Sequence, residues 1–250
     1  MNKTVMGIFA HPDDAELMCA GTLSLFRKAG WEIHIVTMAP GDKGTAELSR
    51  EEISLIRTGE AACSARLIGA EYHCLGFEDL YIFYNRESIN ATTGIIRKVK
   101  PSVVFTASPI DYMQDHELTA SIVQAACFAS GVKNMEVDIA SFEPVPYLYY
   151  CDPMEGKDIF GKPVIPSLYV DITGEIGTKE KMLACHASQR DWLMMHHKMD
   201  EYILAMKRFS AERGRETGTG YAEGFRQHLG HGFPQHNILK ELFCDFVHEK

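Results

Sequence analysis

Ala10-His11-Pro12-Asp13-Asp14-Ala15-Glu16-Leu17 follows a short apolar run, Val5-Met6-Gly7-Ile8-Phe9-Ala10, and precedes an amphipathic stretch from Ala15 to Ala29. A buried strand therefore runs into a helix, with an imidazole and two carboxylates at the joint. In an open parallel sheet, such joints are where ligands bind. His11 and Asp14 stand three apart, so one turn aims both at a common point, and a neutral imidazole with a carboxylate suits zinc. Asp13, between them, is free to act on a metal-bound water. The stretch points to a metal-dependent hydrolase. The plain alternative is helix capping: Asp is a good N-cap, Pro is favoured at N1, and early acids suit the helix dipole. Capping accounts for one Asp or both, but not for His11.

Working outward, residues 4–150 alternate strand and helix. Strand one is Val5–Ala10, and Gly30 ends the helix after it. Trp31–Met38 alternates as strand two, and Pro40–Gly44 forms a turn-rich loop. Ser49 with Glu52 is a capping-box signature that opens a helix to Ile68. Glu71–Phe77 reads as strand three. A helix from Ser88 to Val99 stops before Pro101, and Ser102–Ala107 is strand four. A second polar joint follows, Asp111-Tyr112-Met113-Gln114-Asp115-His116, and then an Ala-rich helix to Ser130. Four βα units in succession imply a three-layer, Rossmann-like α/β fold with a doubly wound, mostly parallel sheet. A strand order of 3-2-1-4 sets strands one and four side by side at the switch point. His11, Asp13 and Asp14 then face Asp111, Asp115 and His116 across one crevice.

The C-terminal portion is less regular. Tyr147–Tyr150 and Ser167–Ile172 read as strands, with Pro153–Pro166 a loop between them. Glu175–Arg213 reads as mostly helical with a break near Ser188, and Gly214–Gly220 as a mobile loop. The expectation is one domain over residues 1–250, with βα units in 4–150 and 151–250 completing the site.

Bulk properties narrow the class. The 250 residues are 46% hydrophobic, enough for a sizeable core, and net charge is −9. A nucleic-acid surface is usually basic, so no nucleic acid is expected as partner. Seven scattered Cys, an odd number without a CxxC pair, read as reduced thiols of a cytoplasmic protein. No stretch approaches eighteen apolar residues, so no membrane span is expected, and the first apolar run is too short for a signal peptide. A homo-oligomer is compatible with the sequence. No G-x-G-x-x-G follows strand one and no Walker A pattern occurs. Two carboxylates at that joint would repel a pyrophosphate and attract a dication.

These residues carry a resemblance. Ile8–Leu17 resembles the signature of the PIG-L/LmbE-like N-acetylglucosaminyl deacetylases, and the second joint resembles that family's Asp-x-His-Pro-Asp-His motif. Arg57-x-x-Glu60 with Leu67–Ala70, Ser167–Thr173, Cys185–Gln189 and Tyr221–Arg226 corroborate it along nearly the whole chain. The resemblance implies His11, Asp14 and His116 as ligands of Zn2+ or another divalent metal, and Asp13 as general base. It implies removal of acetyl, or another acyl group, from N-acetylglucosamine units on small carriers, and a small-molecule amino-sugar conjugate as substrate. Three protein ligands leave tetrahedral zinc one position for water, whose pKa falls towards about 7. Asp13 then takes the proton, and the metal and nearby donors stabilise the oxyanion.

The sequence departs from the family at Met113, where a His would stabilise the oxyanion or protonate the leaving amine. His228, beyond the Gly-rich run, is the candidate substitute, with an ordinary histidine as its alternative. Arg57 is a candidate to grip a sugar hydroxyl or carboxylate, against a solvated helix Arg. Asp111 and Asp115 are candidates to orient ligands and loops, against plain caps. Tyr147–Tyr150 reads as a half-buried strand, His34 and His73 as structural, and Met194-Met195-His196-His197 as packing and surface. Met113 also keeps a second reading open: a metal-containing binding or regulatory protein on the same scaffold with catalysis lost. The retained Asp13 argues against it.

Overall fold

The computed structural model describes residues 1–190 and 201–249; the Met194–His197 run lies outside them. Among the described residues, eight strands form one sheet in the order β3-β2-β1-β4-β5-β7-β6-β8. The strands are β1 (Thr4–Phe9), β2 (Glu32–Thr37), β3 (Glu71–Cys74), β4 (Val103–Thr106), β5 (Tyr147–Cys151), β6 (Leu168–Asp171), β7 (Ala222–Gln227) and β8 (Val247–Glu249). The first five pair in parallel. From β5 onward the pairing turns antiparallel, β5 with β7, β7 with β6 and β6 with β8. The expected order 3-2-1-4 holds, with Val5 beside both Ile33 and Val103.

All six residues of β1 are buried, as a strand covered on both faces requires. One face packs Val5, Phe9, Ile33, Ile35 and Phe105 against Leu23 and Phe26 of α2 (Ala20–Lys28) and Ala65 of α3 (Arg50–Leu67). The other packs Met6, Ile8, Val36 and Val104 against Ile95 and Ile96 of α4 (Arg86–Val99) and Ile122 and Val123 of α5 (Gln114–Ala129). The helices after β1 and β4 thus leave to opposite faces, and the crevice opens between those two strand ends. Further helices among the described residues are α6 (Ile176–Leu183), α7 (Glu201–Thr217) and the short α8 (Ile238–Leu242).

Several boundaries differ from the sequence reading. The helix expected from Ala15 to Ala29 breaks into α1 (Asp14–Met18) and α2, with Cys19 at φ −146° between them. The break frees the amides of Gly21 and Thr22, which donate to the Glu223 carboxylate at 3.0 and 2.8 Å. Glu223 also takes the buried Lys179 ammonium at 2.6 Å, so a C-terminal strand caps α2 inside the core. The capping box of Ser49 and Glu52 is present. A second, Asn85 with Ser88, starts α4 two residues earlier than expected. The break expected near Ser188 falls at Ala184–His186, because Ser188 is held by Glu60 through its amide and hydroxyl.

The Gly214–Gly220 run is a closed turn rather than a mobile loop. Gly214 belongs to α7, Thr219 N–H donates to Gly214 O, and the Gly220 and Tyr221 amides donate to Thr173 Oγ1. A Cβ at Gly214 would lie 2.7 Å from the Gly220 carbonyl. Among the described residues, no helix is long and apolar enough to cross a membrane.

Candidate metal centre

Beyond β1 the chain is pulled into a tight turn. His11 N–H donates to Asp14 Oδ2 at 2.9 Å, and Leu17 N–H to Asp13 O at 3.0 Å. Asp13, the residue before α1, adopts φ +101°. A non-glycine there costs about 1–3 kcal/mol and persists because its surroundings over-determine it. Arg57 Nη2 holds the Pro12 carbonyl at 2.8 Å and lies 3.4 Å from Asp13 Oδ2. Gly41 and Gly44 make room for that guanidinium: a Cβ on either would come within 2.5 Å of it.

The second joint lies beside the first, since β4 neighbours β1. Asp115 and His116 occupy the first turn of α5, and Asp111 Oδ1 accepts the Met113 amide at 3.2 Å. His11, Asp14 and His116 are buried, and each offers one ligand atom within 4.8 Å of the others. His116 Nε2 is 3.3 Å from Asp14 Oδ1, and His11 Nδ1 is 3.8 Å from Asp14 Oδ2. These spacings are longer than good N–H···O bonds and resemble the about 3.3 Å between neighbours on a tetrahedral zinc with bonds of about 2.0 Å.

The far nitrogen of each ring meets another carboxylate. His11 Nε2 is 3.1 Å from Asp115 Oδ2, and His116 Nδ1 is 3.2 Å from Asp111 Oδ1. The latter contact is poorly aligned as a hydrogen bond. A carboxylate behind each imidazole is the arrangement that fixes the tautomer of a metal-binding histidine. The donor set therefore fits a divalent ion. Without one, burial drives the Asp14 carboxyl up, but the His116 and His11 imidazoles outweigh it and hold it well below the usual carboxylate range. Burial likewise drives His116 down, and Asp14 and Asp111 outweigh it and raise the ring well above its ordinary value.

Asp13 stands beside this cluster. Burial pushes its carboxyl above the ordinary value, against the pull of the Arg57 guanidinium. The Tyr202 hydroxyl donates to Asp13 Oδ2 at 2.6 Å. Burial and the Asp13 charge keep that phenol well above its usual range, hence protonated. Beneath lies a buried Glu16, which accepts from Ser64 Oγ at 2.5 Å and pairs with His186 Nε2 at 3.3 Å. Asp79 accepts the Gly41 and Lys43 amides at 3.1 Å, and Asp115 accepts the Leu80 amide at 2.7 Å. A cavity of about 490 Å³ opens over the cluster, with Lys43, Arg57, Tyr112, Met113, Gln189 and Tyr202 on its walls. That volume suits a small-molecule substrate.

His11, Asp13, Asp14, Arg57, Asp111, Asp115 and His116 thus come together. His228 does not. Strand β7 runs antiparallel to β5, so its last residues lie towards the start of β5, and His228 N–H donates to Leu148 O. The ring packs on Phe233 and meets Tyr150 Oη at 2.9 Å, away from the crevice. Leu148, Tyr149 and Tyr150 are buried sheet residues. The sequence reading missed Tyr202, which looks like any core residue of an amphipathic helix, and Asp79, which no spacing connects to Asp13. His186 was visible within Cys185–Gln189, but its contact with Glu16 was not.

The fold and this cluster define an α/β protein with a metal-type His/Asp centre at the switch point of its sheet. The family model described as PIG-L, GlcNAc-PI de-N-acetylase, matches residues 6–127. That match covers just under half of the chain, and structural neighbours share the fold over most of its length. The N,N'-diacetylchitobiose deacetylase from Pyrococcus horikoshii superposes with a TM-score of 0.77 at 26% identity, covering 90% of this chain and 84% of that one. A 1D-myo-inositol 2-acetamido-2-deoxy-alpha-D-glucopyranoside deacetylase from Mycobacteroides abscessus is 24% identical, covering 75% of this chain and 81% of its own length. The 4-oxalmesaconate hydratase of Pseudomonas putida is 23% identical over 198 residues, 75% of this chain and 74% of its own. Family, fold and the buried cluster support a metal-dependent deacetylase or hydrolase of the PIG-L type.

Proposed function

We propose that the protein removes an acetyl or other acyl group from the amide of an N-acetylglucosamine-type conjugate. In this reading His11, Asp14 and His116 hold a divalent metal, zinc foremost, and Asp13 is the general base. The observation that carries it is the buried His11/Asp14/His116 cluster, backed by Asp115 and Asp111, with the Asp13 carboxylate beside it. A divalent ion held there would supply Lewis acidity to the amide carbonyl and to the attacking water. Asp13 takes the proton of the attacking water and returns one to the leaving amine. Tyr202 and Arg57 fix the direction of its carboxylate. Asp115 and Asp111 hold the two imidazoles in the tautomers that leave their near nitrogens bare.

Met113 brings no imidazole to the wall. Tyr112, on the same wall, takes over the donor role. Burial lifts its phenol to about 12, so it is protonated at neutral pH and can donate to an oxyanion. The test is acetate release over a panel of N-acetyl amino sugars and their conjugates, native chain against Asp13→Asn. Release abolished by that substitution supports the reading. Metal bound with no turnover of any kind would favour the binding protein with lost catalysis.

A second reading is addition of water to a carbon–carbon double bond. The similarity to a hydratase and the absence of an imidazole at position 113 favour it, since hydration expels no amine. An unsaturated dicarboxylate in the same panel separates the two, by loss of ultraviolet absorbance without acetate.

A further inference from the structure

We propose a second divalent-metal site at the edge of the sheet, ligated by His34, His73 and Glu71 and backed by Glu32. The site is independent of the His11 centre. Strand β3 is the outer strand of the sheet, and His34 pairs in register with Glu71. Residues two apart on a strand share a face. Glu32 and His34 on β2 therefore stand on the same side as Glu71 and His73 on β3. That side is the one on which Val36 packs towards α4.

The two imidazoles face one another. His34 Nδ1 and His73 Nε2 are 3.0 Å apart, with ring planes inclined by 16°. The Glu71 carboxylate completes a triangle: its oxygens lie 3.9 Å from His34 Nδ1 and 3.7 Å from His73 Nε2. All three ligand atoms fall within 4.8 Å of one another. Neither carboxylate distance is a hydrogen bond, and both close to ligand spacing with a small swing of the exposed Glu71.

The other side of His34 sets the chemistry. Its Nε2 is 3.3 Å from Glu32 Oε1. A proton held there leaves Nδ1 with a bare lone pair aimed at His73 and Glu71, the carboxylate–imidazole–metal arrangement. Two imidazoles and a carboxylate select zinc, copper(II) or nickel(II) over magnesium or calcium. His34 is 5% exposed, His73 is partly buried and Glu71 is exposed, so an ion can enter from the Glu71 side and tie β3 to β2. Without an ion, the pair is a single N–H···N bond.

The experiment removes the first centre and titrates what remains. Zn2+ is titrated calorimetrically into full-length His116→Ala, and Cu2+ is read by electron paramagnetic resonance in the same protein. One Zn2+ equivalent is expected, with a copper spectrum showing coupling to two nitrogens. Adding His73→Gln should abolish both. Adding Glu32→Gln should weaken binding about 10–100-fold, the usual effect of losing such a backing group. Glu71→Gln changes an exposed side chain, so loss of affinity there cannot be charged to misfolding. No binding in His116→Ala, or binding that survives His73→Gln, would overturn the site whatever the activity assays report.

Discussion

Tyr202→Phe isolates one bond of the centre. The hydroxyl donates to Asp13 Oδ2 at 2.6 Å, and both groups are largely buried. Phenylalanine keeps the ring and its packing, so the substitution removes a donor and little else. A hydrogen bond to a charged group contributes about 1.5–3 kcal/mol, and about 1.4 kcal/mol corresponds to one pKa unit. The bond stabilises the ionised carboxylate, so its loss raises the Asp13 pKa further. The base works only when ionised, so activity is lost on the acid side of the profile. That acid limb should therefore move to higher pH by about one to two units, the lower figure if Arg57 Nη2, 3.4 Å away, closes in to compensate. The assay is the pH dependence of kcat/KM for native and Tyr202→Phe enzyme with equal metal content. An acid limb unmoved in a folded, fully metallated variant would refute the claim that Tyr202 governs Asp13.

Asp13→Asn should cut turnover by about 10²–10⁴-fold while raising the melting temperature of the metal-free protein. Burial raises the folded-state pKa of Asp13, so its contribution favours folding at low pH and is lost as pH rises through that pKa; the neutral amide avoids the loss, and Asn tolerates positive φ. Thermal melts at neutral and acid pH, with the gain confined to the former, check this. Asp115→Asn should weaken metal affinity about 10–100-fold, read by chelator competition, because His11 loses the group behind its Nε2. In the metal-free protein His116 holds its proton; metal uptake should therefore release a proton and strengthen with pH up to that raised pKa, measurable by calorimetry in buffers of different ionisation enthalpy. Tyr112→Phe should lower kcat by about 10²–10³-fold with metal content unchanged, whereas His228→Ala should leave kcat and its pH profile as they are.

Local periodicity and turn chemistry made the βα core legible. The apolar runs that became β1 and β4 are short, β-branched and bounded by polar joints, and Ser49 with Glu52 marked α3 to within a residue. The helix after β1 was misread as continuous because nothing near Cys19 signals a break. Its cause is Glu223, some two hundred residues later, which receives the amides that the break exposes. The Gly-rich run read as mobile for a similar reason. Glycine reports permission to bend, and the contact with Thr173 that closes the turn is long-range.

The sequence by itself determined the type of centre. His11, Asp13 and Asp14 are neighbours on one turn, so their shared aim is a local property, and the βα alternation brought the second joint beside the first. Tertiary structure decided what each group does there. It put Asp115 behind His11 and Asp111 behind His116, swung Tyr202 and Arg57 onto Asp13, and carried His228 away on an antiparallel strand. Hydrogen bonds and burial set the protonation and aim of a side chain, and both depend on residues that meet only once the sheet has closed.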